Sequence, residues 1–251
     1  MSKKQKEDAK PGETPMEFVG SMAVVLVTGL FIITFIFQAF EIPSSSMEDT
    51  LLIGDHVFVD RLAYAPRTGW VGPVLPYRDL QRGDIVVFLS PAESGLYVVK
   101  RVIGLPGDRL HLRNGVVFLN GVPQDESYAI RRGDYRPYRD DFPAVSMPSG
   151  ATTPEWYLSL PSHLEGGDLV VPEDNYFMMG DNRDASYDSR SWGFVPREHV
   201  IGRPMIIYWS FETPPGQYLK TAPSERLGYL FHVIIHFFDQ TRWRRTFHLV
   251  R

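Results

Sequence analysis

The stretch from Phe18 to Phe40 (FVGSMAVVLVTGLFIITFIFQAF) runs for 23 residues without a charge. At ~1.5 Å per residue a helix of that length reaches ~35 Å, enough to cross a ~30 Å hydrocarbon core with some tilt. Soluble cores rarely supply so long an uncharged run. A cleaved secretory signal has a shorter apolar region and ends in a small-x-small site, whereas Ile42-Pro43-Ser44 follows here. The run predicts one uncleaved N-terminal transmembrane helix. Lys3, Lys4, Lys6 and Lys10 precede it, and the first basic residue after it is Arg61. The positive-inside rule then puts residues 1–17 in the cytoplasm and everything beyond Phe40 outside.

The remainder of the 251 residues suits one globular domain with a small insertion. Twenty-one glycines and 20 prolines point away from a helical bundle and toward a turn-rich, mainly β fold. The chain has no cysteine, which excludes disulfides, thiolate metal sites and a cysteine nucleophile. Its net charge of −4 argues against binding nucleic acid through bulk positive charge.

Beyond the apolar run only two lysines remain, Lys100 and Lys220, although arginine is abundant. Lys220 follows a Pro-Pro-Gly turn. Lys100 lies among Val98, Val99, Val102 and Ile103, a run stopped by Gly104, Pro106 and Gly107 that reads as a buried strand. A desolvated lysine can lose its proton, whereas arginine cannot. Two readings are open: an amine kept neutral for chemistry, or a strand lysine reaching to the surface.

The apolar run leads straight into EIPSSSMEDTLLIGD. If this segment is extended, Ser44 and Ser46 share a face. One hydroxyl can then attack while the other donates a hydrogen bond to developing oxyanion charge. A polar linker is the alternative, but Met47, Leu51, Leu52, Ile53, Val57 and Val59 continue it as sheet-like sequence. Histidine is a poor candidate for the base. No serine stands in a G-x-S-x-G context, and Gly54-Asp55-His56 reads as a polar turn. His232 and His236 are spaced i, i+4 without an evident third metal ligand.

IPSSSM after an anchor, RGDIVVF (82–88), YVVKRVIGLPGD around Lys100, and GDNRDASYDSRSWGFVP (180–196) resemble, in their order, the boxes of bacterial type I signal peptidases. The last box is the most specific, and the resemblance covers roughly residues 18–119 and 168–212. It implies an antiparallel β catalytic core, with Ser46 as nucleophile and Lys100 as general base. It makes Ser44 an oxyanion donor beside the Ser46 N–H, and gives Ser186 the task of orienting the Lys100 amine. Arg101, Asp181, Arg183, Asp188 and Arg190 become a bracing charge network. Phe40, Ile42, Met47, Leu51 and Val99 become the lining of a cleft for small side chains. It further implies exported preproteins as substrates, cut after Ala-x-Ala at the outer face of a bacterial inner membrane. Partners are thus preproteins and phospholipid, and no metal or organic cofactor is called for. One departure stands out: the family often has proline where this chain has Asp49.

Residues 120–167 lack a sustained apolar period (RRGDYRPYRDDFP) and read as a peripheral β-rich insertion. Residues 213–251 form a C-terminal segment. From Ser224, a cap candidate, Leu227, Leu230, Phe231, Ile234, Ile235 and Phe238 keep helical spacing to an arginine cluster. This predicts a helix lying on an anionic membrane surface or docked on the protein itself. Other classes compatible with these residues are a peptidase dedicated to pilus or conjugation precursors, a self-cleaving regulator with the same Ser–Lys pair, and a non-catalytic anchored scaffold.

Overall fold

A computed structural model describes residues 14–65, 77–143 and 150–250. The lysines that set the expected orientation lie outside these residues. The first helix, α1 (Pro15–Phe31), begins in a capping box: Thr14 accepts from the Glu17 N–H and Glu17 reaches back to the Thr14 N–H. A wide π turn (Ile32–Ile36) extends it, so the apolar helix covers Pro15–Ile36, 22 residues, none of them buried in the protein. At ~1.5 Å per residue it is ~33 Å long.

The helix ends earlier than the uncharged run does. Phe37–Glu41 are strand β1, which pairs antiparallel with β2 (Asp55–Asp60), Phe40 facing Val57. An uncharged stretch does not distinguish helix from buried strand; the β2 partner decides it. Of the expected turn at Gly54-Asp55-His56, Gly54 is in a turn (φ +82°), while Asp55 and His56 open β2. Asp55 is fully buried there and accepts from Ser210 Oγ and Arg245.

Further along the chain come β3 (Ile85–Leu89), β4 (Tyr97–Gly104), β5 (Arg109–Arg113), β6 (Val116–Leu119) and β7 (Val122–Pro123). Two short helices follow, α2 (Pro137–Asp140) and α3 (Pro154–Ser159). Then come β8 (Leu164–Glu165), β9 (Asp168–Val170), β10 (Asn175–Met179), α4 (Ser189–Trp192), β11 (Val195–Pro196) and β12 (Val200–Ser210). The chain closes with α5 (Pro223–Ile235) and β13 (His248–Leu249). Among the described residues every pairing between these strands is antiparallel, with one isolated parallel bridge between Ile130 and Asn182. The larger sheet runs β1-β2-β12-β3-β4-β10-β11 with β13 on β12, and the smaller runs β7-β6-β5-β9-β8. The mainly β fold is as the sequence implies.

The smaller sheet crosses the expected insertion boundary, because β7 and β8, which lie inside residues 120–167, pair with β6 and β9, which lie outside them. Two of its hairpins turn at Asn114-Gly115 and Asn120-Gly121, all four residues at positive φ, the tight turn that matches strand twist. The insertion also carries two short helices. Trp156 of α3 and Phe142 close one core over Leu110, Leu169 and Phe177. A second core gathers Phe88, Val102, Met178 and Trp192. A third packs Ile42, Met47 and Leu51 on Val57, Ile85, Ile207 and Val250.

The C-terminal helix is shorter than expected. It starts after Ala222 with Pro223 in the first turn and stops at Ile235. The chain then folds back, so that β13 joins β12 and Val250 is buried. The buried Asp55 carboxylate draws it in. Arg245 ion-pairs with Asp55 at 2.6 Å, and Arg242 donates to Ser210 Oγ, which itself donates to Asp55. These two arginines are therefore spent inside the protein. Leu230, Phe231, Ile234 and Phe238 stay exposed.

Candidate active site

Two segments far apart in sequence meet beside the larger sheet. The chain leaves β1 through Ile42 and Pro43, stays extended at Ser44 (φ −132°, ψ 158°), and then makes one 3-10 turn over Ser45–Met47. The serine face is thus set by a tight turn, not by the strand alternation expected. Its outcome is the same, since the Ser44 and Ser46 hydroxyl oxygens lie 3.3 Å apart. Amides in the first turn of such a helix have no partner inside it, so the Ser46 N–H can donate to a ligand.

Lys100 sits mid-strand in β4, opposite Val86 of β3, and is 2% exposed. Its Nζ is 2.5 Å from Ser46 Oγ. Burial pulls its pKa down from 10.5 to about 8, against the attraction of Asp188. An amine so placed can take the hydroxyl proton at mildly alkaline pH.

The loop after β10 braces this pair. Asn182 donates from its backbone to Ser46 O and from its side chain to Ser45 O. Gly180 lies so close that a Cβ there would stand 2.3 Å from Ser186 Oγ and 2.4 Å from Ser46 O. Only glycine lets the two serines pack across this backbone. The Ser186 hydroxyl is buried and makes no hydrogen bond to Lys100. It stands near Asp188, whose carboxyl sits below its ordinary value: burial pushes it up, but the Arg190 guanidinium and the hydrogen bonds it receives outweigh this.

Four of the five charged residues pair among themselves. Arg101 grips Asp181 through two hydrogen bonds of 2.8 and 2.6 Å, and Arg190 grips Asp188 at 2.9 and 2.8 Å. Arg183 instead binds Glu126, at 2.8 and 2.6 Å. Glu126 belongs to the insertion and carries no local signal. Thr50 is a second residue the sequence did not single out, and it donates to Asp181 at 2.6 Å. Asp49 adopts φ +70°, a conformation closed to proline, and binds Arg132 of the insertion at 3.2 Å.

A cleft of about 330 Å³ opens along Ser46 and Lys100. Phe40, Ile42 and Val99 line it as anticipated, whereas Met47 and Leu51 do not; they are core residues beneath it. Leu96, Tyr97, Tyr187 and Trp192 complete its walls. These had no recognisable spacing, because two segments far apart in the chain, 96–97 and 187–192, supply them. Elsewhere, His56 stacks on Trp209, His232 faces Gln240 and His236 faces Asp239.

The family described as signal peptidase, peptidase S26, matches residues 16–209. The chain belongs to this family. It is therefore a hydrolase of the peptidase S26 type. A Synechocystis protein described as probable signal peptidase I-2 is 33% identical over 227 residues, covering 88% of this chain and 84% of that one. Signal peptidase I of Aquifex aeolicus is 33% identical over 223 residues, 76% of this chain and 83% of that one. A crystal structure of an Enterococcus faecalis signal peptidase I shares 34% identity and covers 50% of this chain and 97% of its own, with a TM-score of 0.38. Peptidase S26 membership accounts for the four sequence boxes, all of which lie within the matched residues.

Proposed function

We propose that this peptidase removes signal peptides from exported preproteins, cutting after Ala-x-Ala with Ser46 as nucleophile and Lys100 as general base. The observation that carries the reading is the 2.5 Å approach of a buried lysine, its pKa drawn to about 8, to a serine hydroxyl. At pH 7 about a tenth of such lysines are neutral, against about one in a few thousand for a free lysine. Neutral Lys100 takes the Ser46 proton as Oγ attacks the scissile carbonyl. The developing oxyanion receives hydrogen bonds from Ser44 Oγ and the Ser46 N–H. Lys100 then protonates the leaving amine. Water activated by the same lysine hydrolyses the acyl-enzyme. Ser186 and the Asp188–Arg190 pair hold the lysine's surroundings.

The apolar helix anchors the enzyme in the inner membrane, N-terminus inside, and the exposed face of α5 rests on the outer surface. A preprotein held by its own apolar segment reaches the cleft from the Phe40 end. Ile42 and Val99 leave room there for small side chains.

The test is cleavage of a preprotein ending its signal in Ala-x-Ala, in lipid, by the unaltered chain and by Ser46→Ala and Lys100→Ala. Cleavage after the second alanine, abolished in both folded variants, is the expected result. Comparable activity in either variant removes that residue from its role, and no cleavage by the unaltered chain overturns the reading.

A further inference from the structure

The catalytic cleft does not end at Ser46. Ala185 and Tyr187 line it, and the same two residues line a second cavity of about 230 Å³. Between them Ser186 lines that second cavity, with Arg190 beside it. The opposite wall comes from the insertion, through Arg136, Tyr138 and Arg139. If the signal peptide enters from the Phe40 end, as in the function proposed above, the chain beyond the scissile bond leaves past Ser46 toward this cavity.

The cavity wall is rich in donors. It carries three guanidinium groups and one carboxylate, Asp184. Asp184 is already occupied by Arg139 and by the backbone N–H groups of Arg132 and Gly133. Asp140 and Asp188, which pair with Arg139 and Arg190, are not part of the wall. Arg136 forms no ion pair among the described residues, and its Nη1 donates only to Tyr138 Oη, at 3.3 Å. Arg190 is 4% exposed, yet its Nη1 is buried without a partner. A buried donor left unpaired is costly, so a ligand that supplies an acceptor is favoured there.

We propose that this cavity, a feature of the insertion, is the subsite for the first residues after the scissile bond and that it selects an acidic side chain. A carboxylate there meets Arg136, the Tyr138 hydroxyl and the free Arg190 donor, while an ammonium meets like charge. The insertion then takes part in substrate choice as well as covering the core. The inference rests on the peptidase reading of the same site.

The experiment uses the full chain in lipid vesicles. The substrates are peptides that share one Ala-x-Ala sequence and carry Glu, Gln or Lys in turn at each of the first four positions after it. At one position Glu should exceed Lys by about threefold or more in kcat/KM, chiefly through KM, the scale of a partly exposed ion pair. Arg136→Gln should shrink that ratio and Arg136→Glu should invert it, a reversal that misfolding cannot produce. Equal rates for the three peptides at every position, or a ratio unmoved in Arg136→Glu, overturn the subsite while leaving the peptidase intact. Failure to cleave any of the peptides overturns the peptidase reading and this inference together.

Discussion

The Lys100 ammonium loses its hydration when β4 is buried, and Ser46 Oγ is its one hydrogen-bond partner among the described residues. Its pKa falls from 10.5 to about 8, a gap worth about 3 kcal/mol. Between those values the unfolded chain binds more protons than the folded one, so stability rises with pH from about 8 to 10.5. Lys100→Met keeps an unbranched side chain only one atom shorter and removes the charge. It should abolish cleavage and yet stabilise the protein by up to about 3 kcal/mol below pH 8. That advantage should fade by pH 10.5, as measured by denaturant unfolding in detergent at several pH values. In the unaltered enzyme kcat/KM should climb with pH to a midpoint near 8, because only the neutral amine can accept the proton. A limb centred near 6.5, the ordinary value of histidine, would point to another base.

Among the elements, the returning C-terminal segment does more than close a sheet. Arg245 bonds both Asp55 and the Thr50 carbonyl, joining the loop that follows Ser46 to the start of β2. Asp55 in turn accepts from the Leu52 N–H inside that loop. Arg245→Ala should leave a fully buried carboxylate with less compensation and destabilise the protein by about 1–3 kcal/mol. A fall of several degrees in Tm would report it, and an unchanged Tm would show Arg242 and Ser210 to be sufficient. The sequence pattern drew a helix through Arg242–Arg245 because the arginines follow an apolar stripe without a break. The helix instead stops at Ile235, and Arg245 binds Asp55, about 190 residues earlier in the chain.

For the whole molecule, the proposed anchor and the cleft form one continuous path, since α1 and its π turn lead directly into β1 and β1 into the serine turn. Holding enzyme and substrate on one surface raises their effective concentration by orders of magnitude. A chain lacking residues 1–36 keeps β1 and every residue of the cleft around Ser46 and Lys100. It should cleave a short soluble peptide about as fast as the full chain, while processing of a membrane-held preprotein falls at least about tenfold. Equal losses on both substrates would mean that the helix supports the fold and not the encounter.

Local chemistry made much of this legible in advance. An uncharged run long enough for a bilayer, a lone lysine inside a strand pattern and the compositionally odd stretch from Gly180 to Pro196 are each written in neighbouring residues. Turns and strand periodicity likewise announced a mainly β fold. The remainder depended on contacts between distant segments. Whether Phe37–Phe40 were helix or strand was decided by β2. Whether Met47 and Leu51 lined the cleft or lay under it was decided by the 3-10 turn at Ser45–Met47 and by the Val57–Ile207 core. The partner of Arg183 came from an insertion with no motif of its own. Backbone propensity and motif chemistry are local, so the amino-acid order alone reveals them; which face is buried and which charge meets which are settled only when the sheets close.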